Sequence, residues 1–477
     1  MKKSIGLAVL VLFGLGLACA AGPAADTAKK IDAVMARFSA LEHFSGTVLV
    51  ARGGRIVYAK AFGLANKDLA VPNTLNTRFE LASVSKLFTG VGFMRLVEKG
   101  LVGLEDPVVR HLPRFPFGDK VKIIHLLTHT SGLPEFFENP KLQGLFPSLR
   151  SIDDFLPMTF EQKLKSDAPG KAFAYNSAGF HVLGAIIERV SGRSFKDYIR
   201  DEILRPCGMS ETSLATLEDV VPNRAVGYVK NSLGVFKTNA YYLIPDIAAA
   251  GIQVTAGDLL KFDRALTEGK LLSPAILERM TVPFLEKNWG IVWRLADIDG
   301  RKIAYHGGET GGVSAMFRRY LEDDLTLIVL SNYHRAARPV AAVIEAILFG
   351  KPYEMPRPTM PEFLYAYMTG HGGMLPEGAA GKLLEENGYA LPAASDDLNA
   401  LGYELMDSGS AEMAIQIFLM NMRLFPKEAN PYDSLAEAYE KNGDAVSALR
   451  YYRKALEIDP KLTSSKAALE RLEKKKK

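Results

Sequence analysis

A serine followed three positions later by a lysine is the first feature of this sequence that could do covalent chemistry. The segment reads Ser83-Val84-Ser85-Lys86, and apolar residues at helical spacing follow as far as Gly100. The sequence therefore predicts Ser83 at or just before a helix N-terminus, with Lys86 one turn on and on the same face. A lysine in apolar surroundings can lose its charge and take the serine proton, while the helix N-terminus favours negative charge on the oxygen. The alternative is a serine that only caps the helix, which the short motif alone favours.

A second polar cluster, Tyr175-Asn176-Ser177, lies about ninety residues further along the chain. A tyrosine beside a lysine can act as a base or a proton relay, because the cation helps its phenol to lose a proton. The alternative is a core tyrosine with a satisfied hydroxyl group. Taken alone, this cluster favours that alternative.

The third cluster, His306-Gly307-Gly308-Glu309, stands at the end of a predicted strand. Glycines there let a substrate approach the backbone closely. An N–H group at this edge could join the N–H of Ser83 to form an oxyanion hole. The alternative is a glycine turn with an incidental histidine.

The elements that would position these clusters are predicted strands on both sides of a long helical stretch. Two strand-like runs, 47–51 and 55–59, flank a Gly53-Gly54 hairpin signal, and helical patterns dominate from about residue 83 to 270. Four further strands are predicted at 289–295, 303–306, 314–320 and 326–330, followed by a helix at about 338–349. This order predicts an α+β fold whose antiparallel sheet, flanked by helices, is built from both ends of the domain.

The C-terminal part of the chain carries an internal repeat. Residues 351–394, which begin with a proline-rich stretch, are interpreted as a linker and helical cover. Beyond them, similar residues recur 34 positions apart, as in the pairs Leu401 and Leu435, Gly402 and Ala436, Ala414 and Ala448, and Pro426 and Pro460. That period resembles tetratricopeptide repeats, so residues 395–473 are predicted to form two such repeats and a capping helix. This surface either binds a protein partner or only stabilises the first domain.

The first 21 residues have the pattern of an export signal. A basic start at 1–3 precedes an uncharged apolar run at 5–17, and Ala18-Cys19-Ala20 supplies small residues for cleavage. A lipoprotein signal with Cys19 acylated is the alternative. No later stretch is long and apolar enough to span a membrane. We expect an exported protein, periplasmic or secreted, whose first folded domain covers residues 27–350.

The composition excludes several classes of protein. The formal net charge is +4, which the lysines of residues 474–477 account for, so no nucleic-acid partner is expected. The chain contains no G-x-S-x-G elbow, no H-E-x-x-H helix and no phosphate-binding P-loop, and its histidines form no cluster with metal-ligand spacing. We therefore expect no metal and no cofactor.

The order of the three clusters resembles one superfamily, the serine β-lactamases and penicillin-binding proteins. The sequence is most similar to its branch of class C β-lactamase-like hydrolases, D-alanyl-D-alanine peptidases and esterases. The resemblance runs from about residue 44 to 348 and rests on four segments. They are the nucleophile segment at 79–89, Leu-Leu-Thr-His-Thr-Ser-Gly-Leu at 126–133, Arg-Pro-Cys-Gly-Met at 205–209 and Leu-Ser-Asn at 330–332. It implies a β-lactamase/transpeptidase-like domain with an added helical subdomain.

The resemblance also implies a role for each candidate residue. Ser83 would be the acylated nucleophile, Lys86 its first base and Tyr175 the second base that passes the proton to the leaving group. The backbone N–H groups of Ser83 and Glu309 would form the oxyanion hole. Four further residues would contact the substrate, namely Ser177, His306, Gly307 and Gly308.

Two departures from the family pattern narrow the expected activity. Ser177 replaces the usual asparagine of Y-x-N, and His306 replaces the lysine of K-T-G. Since histidine is often neutral at pH 7, its attraction for a β-lactam carboxylate would be weaker. We expect an exported serine hydrolase acting through an acyl-enzyme on an ester, amide or D-amino-acid peptide, with weak or no β-lactamase activity. The alternative is a catalytically weak scaffold that grips a protein partner through its repeats.

Overall fold

A six-stranded antiparallel sheet lies at the centre of the first part of the chain. The computed structural model describes residues 23–141, 149–215, 218–239, 248–285, 288–376 and 378–475. The sheet has the spatial order β2-β1-β12-β11-β10-β9. Its strands are β1 (Gly46–Arg52), β2 (Arg55–Phe62), β9 (Arg294–Ile298), β10 (Arg301–Thr310), β11 (Val313–Tyr320) and β12 (Leu325–Ser331). Strand β1 pairs with β12, so the sheet joins the two ends of the domain and the predicted α+β fold is confirmed.

Strand β1 separates two hydrophobic cores. Leu49 and Ala51 belong to the core on one face of the sheet, whereas Val48 and Val50 belong to the core on the other. Because side chains alternate along a strand, a strand covered on both faces reads as an unbroken apolar run. The apolar run at 48–51 has this origin.

Helices pack on both faces of the sheet and also fill the chain between its early and late strands. They are α1 (Pro23–Ala40), α2 (Lys86–Glu98), α3 (Val108–His111), α4 (Ile123–Leu127), α5 (Ile152–Phe160), α6 (Ala178–Ser191), α7 (Phe195–Ile199), α8 (Arg205–Cys207), α9 (Ala256–Thr267), α10 (Pro274–Met280) and α11 (Ala337–Leu348). A π-helical turn at Arg200–Leu204 joins α7 to α8, and 3₁₀ turns span Ala82–Ser85 and Phe136–Glu138. Helices α1 and α11 pack on one face and α9 on the other.

Three short strand pairs complete this part of the chain. They are β3 (Leu64–Asn66) with β4 (Val71–Pro72), β5 (Phe79–Glu80) with β8 (Gln253–Val254), and β6 (Tyr228–Lys230) with β7 (Phe236–Thr238). The pair of β5 and β8 leads directly into the turn that carries Ser83.

Two expectations about the late strands were wrong in detail. The strand expected at 289–295 begins only at Arg294, because Val292 has a φ of 68° and its N–H donates to the carbonyl oxygen of Leu127 at 3.0 Å. A strand residue cannot adopt that φ. The cluster that starts with His306 lies inside β10, which continues to Thr310, instead of following the end of a strand.

The C-terminal part of the described chain is helical. Its helices are α12 (Met360–Gly370), α13 (Ala380–Glu386), α14 (Asp396–Asp407), α15 (Ala411–Leu424), α16 (Ala429–Lys441), α17 (Ala445–Ile458) and α18 (Thr463–Lys475). A β-carbon on Gly402 would lie 2.3 Å from the ring of Phe418, so a small residue lets α14 and α15 approach closely. The tetratricopeptide assignment and the domain boundaries remain predictions.

Polar contacts join the helical part to the rest of the chain. Glu362 of α12 lies 2.7 Å from the His43 ring and 2.9 Å from Lys230 Nζ. Burial acts to raise the pKa of Glu362, but hydrogen bonds, with that from His43 the strongest, lower it to about 2. The N–H of Ser232, in the loop between β6 and β7, donates to Glu404 of α14 at 2.8 Å. The two parts are therefore docked through charged groups.

The predicted export signal and Cys19 lie outside the described residues. Among the helices that are described, we found none with the length and apolar character needed to cross a membrane.

Candidate active site

Ser83 lies in a tight turn between β5 and α2. Because this turn is 3₁₀, α2 begins at Lys86 and Ser83 stands just before the helix. Ala82 has a φ of 45°, in the left-handed region that residues with a β-carbon rarely adopt. Strain of this kind persists only where neighbouring contacts hold it, and it clusters at functional sites. Here the N–H of Leu81 donates to Ile252 at 2.8 Å and anchors the turn.

Lys86 is buried, with 1% of its surface exposed, and its amine points at Ser83. Its Nζ atom lies 3.1 Å from Ser83 Oγ and donates to the carbonyl oxygen of Ala249 at 3.0 Å. The same atom lies 5.2 Å from the ring centre of Tyr175 and 5.6 Å from that of Phe180. The amine is therefore held between two oxygen partners and two aromatic rings, within reach of the serine hydroxyl.

Tyr175 approaches this pair from the segment before α6. Its ring stacks on His129 at 4.3 Å, and 40% of the residue is exposed. Burial and the Lys86 charge hold the pKa of His129 well below its usual value, so the ring is neutral. The N–H of Asn176 donates to His129 Nδ1 at 3.0 Å, and its side chain donates to Leu133 O and accepts from Gly179 N. Asn176, whose role the sequence left open, thus fixes the backbone that presents Tyr175.

Ser177 ends this segment and is held by a carboxylate that the sequence analysis missed. Its N–H donates to Glu135 Oε1 at 2.6 Å, and the next N–H, of Ala178, donates to Glu135 Oε2 at 3.3 Å. The only sequence signal for Glu135 is that it is acidic within the otherwise apolar run 133–137.

The outer edge of β10 runs along the serine turn. Strand β9 pairs with β10 only as far as Tyr305, so no strand among the described residues pairs with that side from His306 onward. A β-carbon on Gly308 would lie 1.9 Å from the carbonyl oxygen of Leu81 and 3.1 Å from Ser83 N. The backbone of the strand therefore touches the backbone of the turn, next to the N–H of Ser83.

His306 is buried beside this edge. Only 2% of its surface is exposed, and burial, followed by the Lys86 charge, lowers its pKa to about 3. The ring is therefore neutral at physiological pH and cannot supply the positive charge of a lysine. Two arginines that sequence reasoning missed, Arg294 and Arg338, line the same cavity.

Two neighbouring cavities bring the candidate residues together around Ser83. A cavity of about 280 Å³ is lined by Ser83, Phe173, Tyr175, Trp289, Arg294, Tyr305, His306, Gly307, Gly308, Glu309, Ser314, Ala315, Met316 and Arg338. A smaller one of about 100 Å³ is lined by Ala82, Ser83, Lys86, Phe136, Phe137, Ser177, Ala249, Ala250, Glu309 and Thr310. Ser83 and Glu309 belong to both. In the part of the chain that the structure describes, no three His, Cys, Asp or Glu side chains are grouped to hold a metal ion.

Comparison with known proteins identifies the family of this chain. The model of the beta-lactamase family matches residues 31–349. The chain belongs to the beta-lactamase family. A penicillin-binding protein of Bacillus subtilis (strain 168) is 34% identical over 377 residues, which are 72% of this chain and 82% of that protein. A D-aminopeptidase of Gluconobacter oxydans (strain 621H) is 26% identical over 351 residues, 70% of this chain and 64% of that protein.

The solved structures agree with this assignment. The crystal structure of a penicillin-binding protein from Bacillus halodurans aligns with a TM-score of 0.62 at 32% identity, covering 66% of this chain and 98% of that structure. The resemblance stated from the sequence motifs is thereby confirmed for the family and its fold, and this member of the beta-lactamase family is a serine hydrolase. The C-terminal helices lie beyond the residues that the family model matches.

Proposed function

We propose that this protein hydrolyses D-amino-acid peptides, amides or esters through an acyl-enzyme on Ser83. The observation that carries the proposal is the 3.1 Å separation of Lys86 Nζ and Ser83 Oγ, together with the cavity that Ser83 and Tyr175 both line. A hydroxyl becomes a useful nucleophile when a neighbouring base takes its proton. A relative named D-aminopeptidase supports the class of substrate.

In the proposed acylation step, Lys86 takes the proton of Ser83 Oγ and the oxygen attacks the substrate carbonyl carbon. The N–H groups of Ser83 and Glu309 stabilise the negative charge on the carbonyl oxygen. Tyr175 passes a proton to the nitrogen or oxygen of the leaving group as its bond to carbon breaks. Water then attacks the acyl-serine, which releases the acid and returns the proton to Ser83.

Charge in the larger cavity supports a substrate that carries a carboxylate. His306 is neutral, but the Arg294 guanidinium lies over the rings of Trp289 and Tyr305, and its Nε atom has no hydrogen-bond partner among the described residues. Arg338, which is exposed, lines the same cavity. Arginine binds carboxylates with two parallel hydrogen bonds. A D-peptide with a free C-terminus offers that group.

Covalent labelling tests the proposal directly. The full chain and Ser83→Ala would be incubated with a fluorophosphonate or a penicillin and examined by intact mass. We expect one adduct on the unaltered protein, located at Ser83 by peptide mapping, and none on the variant. Turnover of D-alanyl-D-alanine peptides, p-nitrophenyl butyrate and a chromogenic cephalosporin would then rank the substrates. Equal background rates for both proteins would contradict the proposal and favour the inactive, partner-binding scaffold.

We also propose export, on the basis of residues 1–21. A relative that is named a penicillin-binding protein is consistent with a location of this protein outside the cytoplasm. Fractionation of cells that make the full chain, a chain starting at residue 22 or a Cys19→Ser variant separates the outcomes. A secreted or periplasmic product that does not depend on Cys19 is expected, and a cytoplasmic full-length product would contradict export.

A further inference from the structure

Glu135 links two segments of the candidate active site, the loop before the Phe136–Glu138 turn and the start of α6. It comes from the segment that leads into the Phe136–Glu138 turn, yet its carboxylate accepts the N–H groups of Ser177 and Ala178 at 2.6 and 3.3 Å. These N–H groups stand at the start of α6, where no carbonyl of the helix can accept them. Glu135 therefore holds the beginning of α6, and with it the segment that presents Tyr175.

The hydrogen bonds of Glu135 suit an ionised carboxylate. Both of its oxygens accept a hydrogen bond from an N–H group. An ionised carboxylate can accept at both oxygens, whereas a protonated acid carries an O–H donor on one of them. Burial raises the pKa of Glu135 above its usual value, and the N–H of Ser177 and the charge of Lys86 only partly oppose that rise. The start of a helix also favours a negative charge.

Among the described residues, the Lys86 charge acts on three histidines as well as on Glu135. Burial lowers the pKa of His181 and of His306 to about 3 and that of His129 well below its usual range. All three rings are therefore neutral and cannot offset a positive charge on Lys86. Glu138, which faces Glu135 from the adjoining turn, is occupied by an ion pair with Lys165 at 2.6 Å. The Lys86 charge acts on Glu135, and Lys86 lines the same small cavity as Ser177, whose N–H Glu135 accepts.

We propose that Glu135 is a positioning residue for acylation. Its carboxylate fixes the segment that carries Tyr175, and its charge stabilises the Lys86 ammonium that forms when Ser83 Oγ gives up its proton. Glu135 makes and breaks no bond itself. The proton moves from Ser83 to Lys86 and then, through Tyr175, to the leaving group. This inference rests on the proposed acyl-enzyme function.

The central experiment compares Glu135→Gln with the full chain in the hydrolysis of p-nitrophenyl butyrate. Glutamine keeps the size of the side chain but removes its charge. We expect kcat/KM to fall about 10- to 100-fold, the range for loss of a hydrogen bond to a charged group. We also expect the acid limb of the pH profile to move to lower pH, because removing a negative charge makes a positive charge in the site less stable.

Two further variants complete the design. Glu138→Gln removes an exposed charge three residues away and is the matched control, with rate and profile expected as in the unaltered chain. Glu135→Asp keeps the charge on a shorter side chain, so it should lose rate while the acid limb stays in place. If Glu135→Gln does not fold, the acid limb of the pH profile of Glu135→Asp still tests the role of the charge. A displaced acid limb in that variant would contradict the proposed role.

The outcomes separate this inference from the proposed function. Absence of Ser83-dependent hydrolysis in the unaltered chain overturns the function itself. If Ser83 is active but Glu135→Gln matches Glu138→Gln in rate and profile, only the inference fails. A lower rate with an unmoved acid limb would mean that Glu135 has a structural role alone, which also overturns the proposed effect on Lys86.

Discussion

A β-carbon placed on Gly308 would lie 1.9 Å from the carbonyl oxygen of Leu81, so the strand edge and the serine turn touch backbone to backbone. The two segments pack against each other, although more than 200 positions separate them along the chain. This contact places the N–H of Ser83 beside the strand that carries Glu309. The geometry of the proposed oxyanion hole depends on it.

Gly308→Ala is expected to push the strand from the serine turn and to lower kcat/KM for p-nitrophenyl butyrate about 100-fold, the loss typical of a disrupted oxyanion donor. Gly257→Ala, at a helical position where the nearest atom would be 3.9 Å away, is the control that should keep full activity. Circular dichroism checks that both variants fold. Unchanged turnover in a folded Gly308→Ala variant would contradict the proposed oxyanion geometry.

Lys86→Met removes the amine from Ser83 while keeping a long side chain in the buried site. Since a positioned base contributes about 10²- to 10⁴-fold, we expect the rate of fluorophosphonate labelling at Ser83 to fall within that range. Lys99→Met, at the exposed end of the same helix, should label at the normal rate. Equal labelling of both variants would show that Ser83 does not depend on Lys86.

Arg294→Gln and Arg338→Gln test the preference for a carboxylate. Each change should raise KM for a D-alanyl-D-alanine peptide about 10-fold, because a hydrogen bond between charged partners is lost. KM for the neutral ester p-nitrophenyl butyrate should stay within about twofold, which makes the ester an internal control. An equal rise in KM for both substrates would indicate a general disturbance of the cavity instead.

Glu80 should make stability depend on pH. Its Oε1 atom is buried without a hydrogen-bond partner among the described residues, and burial raises its pKa from 4.5 to about 7. The folded state therefore holds this proton between about pH 4.5 and 7 while the unfolded state releases it, so folding becomes less favourable as pH rises through that window. In thermal melting, the Tm of Glu80→Gln minus the Tm of the unaltered chain should increase from pH 5 to pH 8. A difference in Tm that does not vary with pH would contradict this assignment.

Local patterns were sufficient to predict the fold class. The apolar run of β1, the Gly53-Gly54 hairpin and the late strands all leave signals in neighbouring residues of the chain. The strand expected at 289–295 was wrong because the left-handed backbone at Val292 is set by a hydrogen bond to Leu127, a residue far away in the sequence. Contacts of that kind leave no periodic signal.

The residues of the candidate site also fall into two groups, those that the sequence predicted and those that it did not. Ser83, Lys86, Tyr175 and His306 were singled out because their types and order match a chemistry, and the structure places them around common cavities. Glu135, Arg294 and Arg338 were missed because single charged residues in loops and at element ends carry no pattern. Their importance comes only from what packs beside them.

The sequence by itself determined that this chain builds an antiparallel sheet from both ends of a domain and sets a serine and a lysine at the start of a helix. Both follow from side-chain periodicity and from spacing within one or two turns of chain. Only the tertiary structure decided which carboxylate holds the start of α6, which arginines line the cavity and that His306 is neutral. These properties depend on burial and on distances between remote segments, and both arise only when the chain closes on itself.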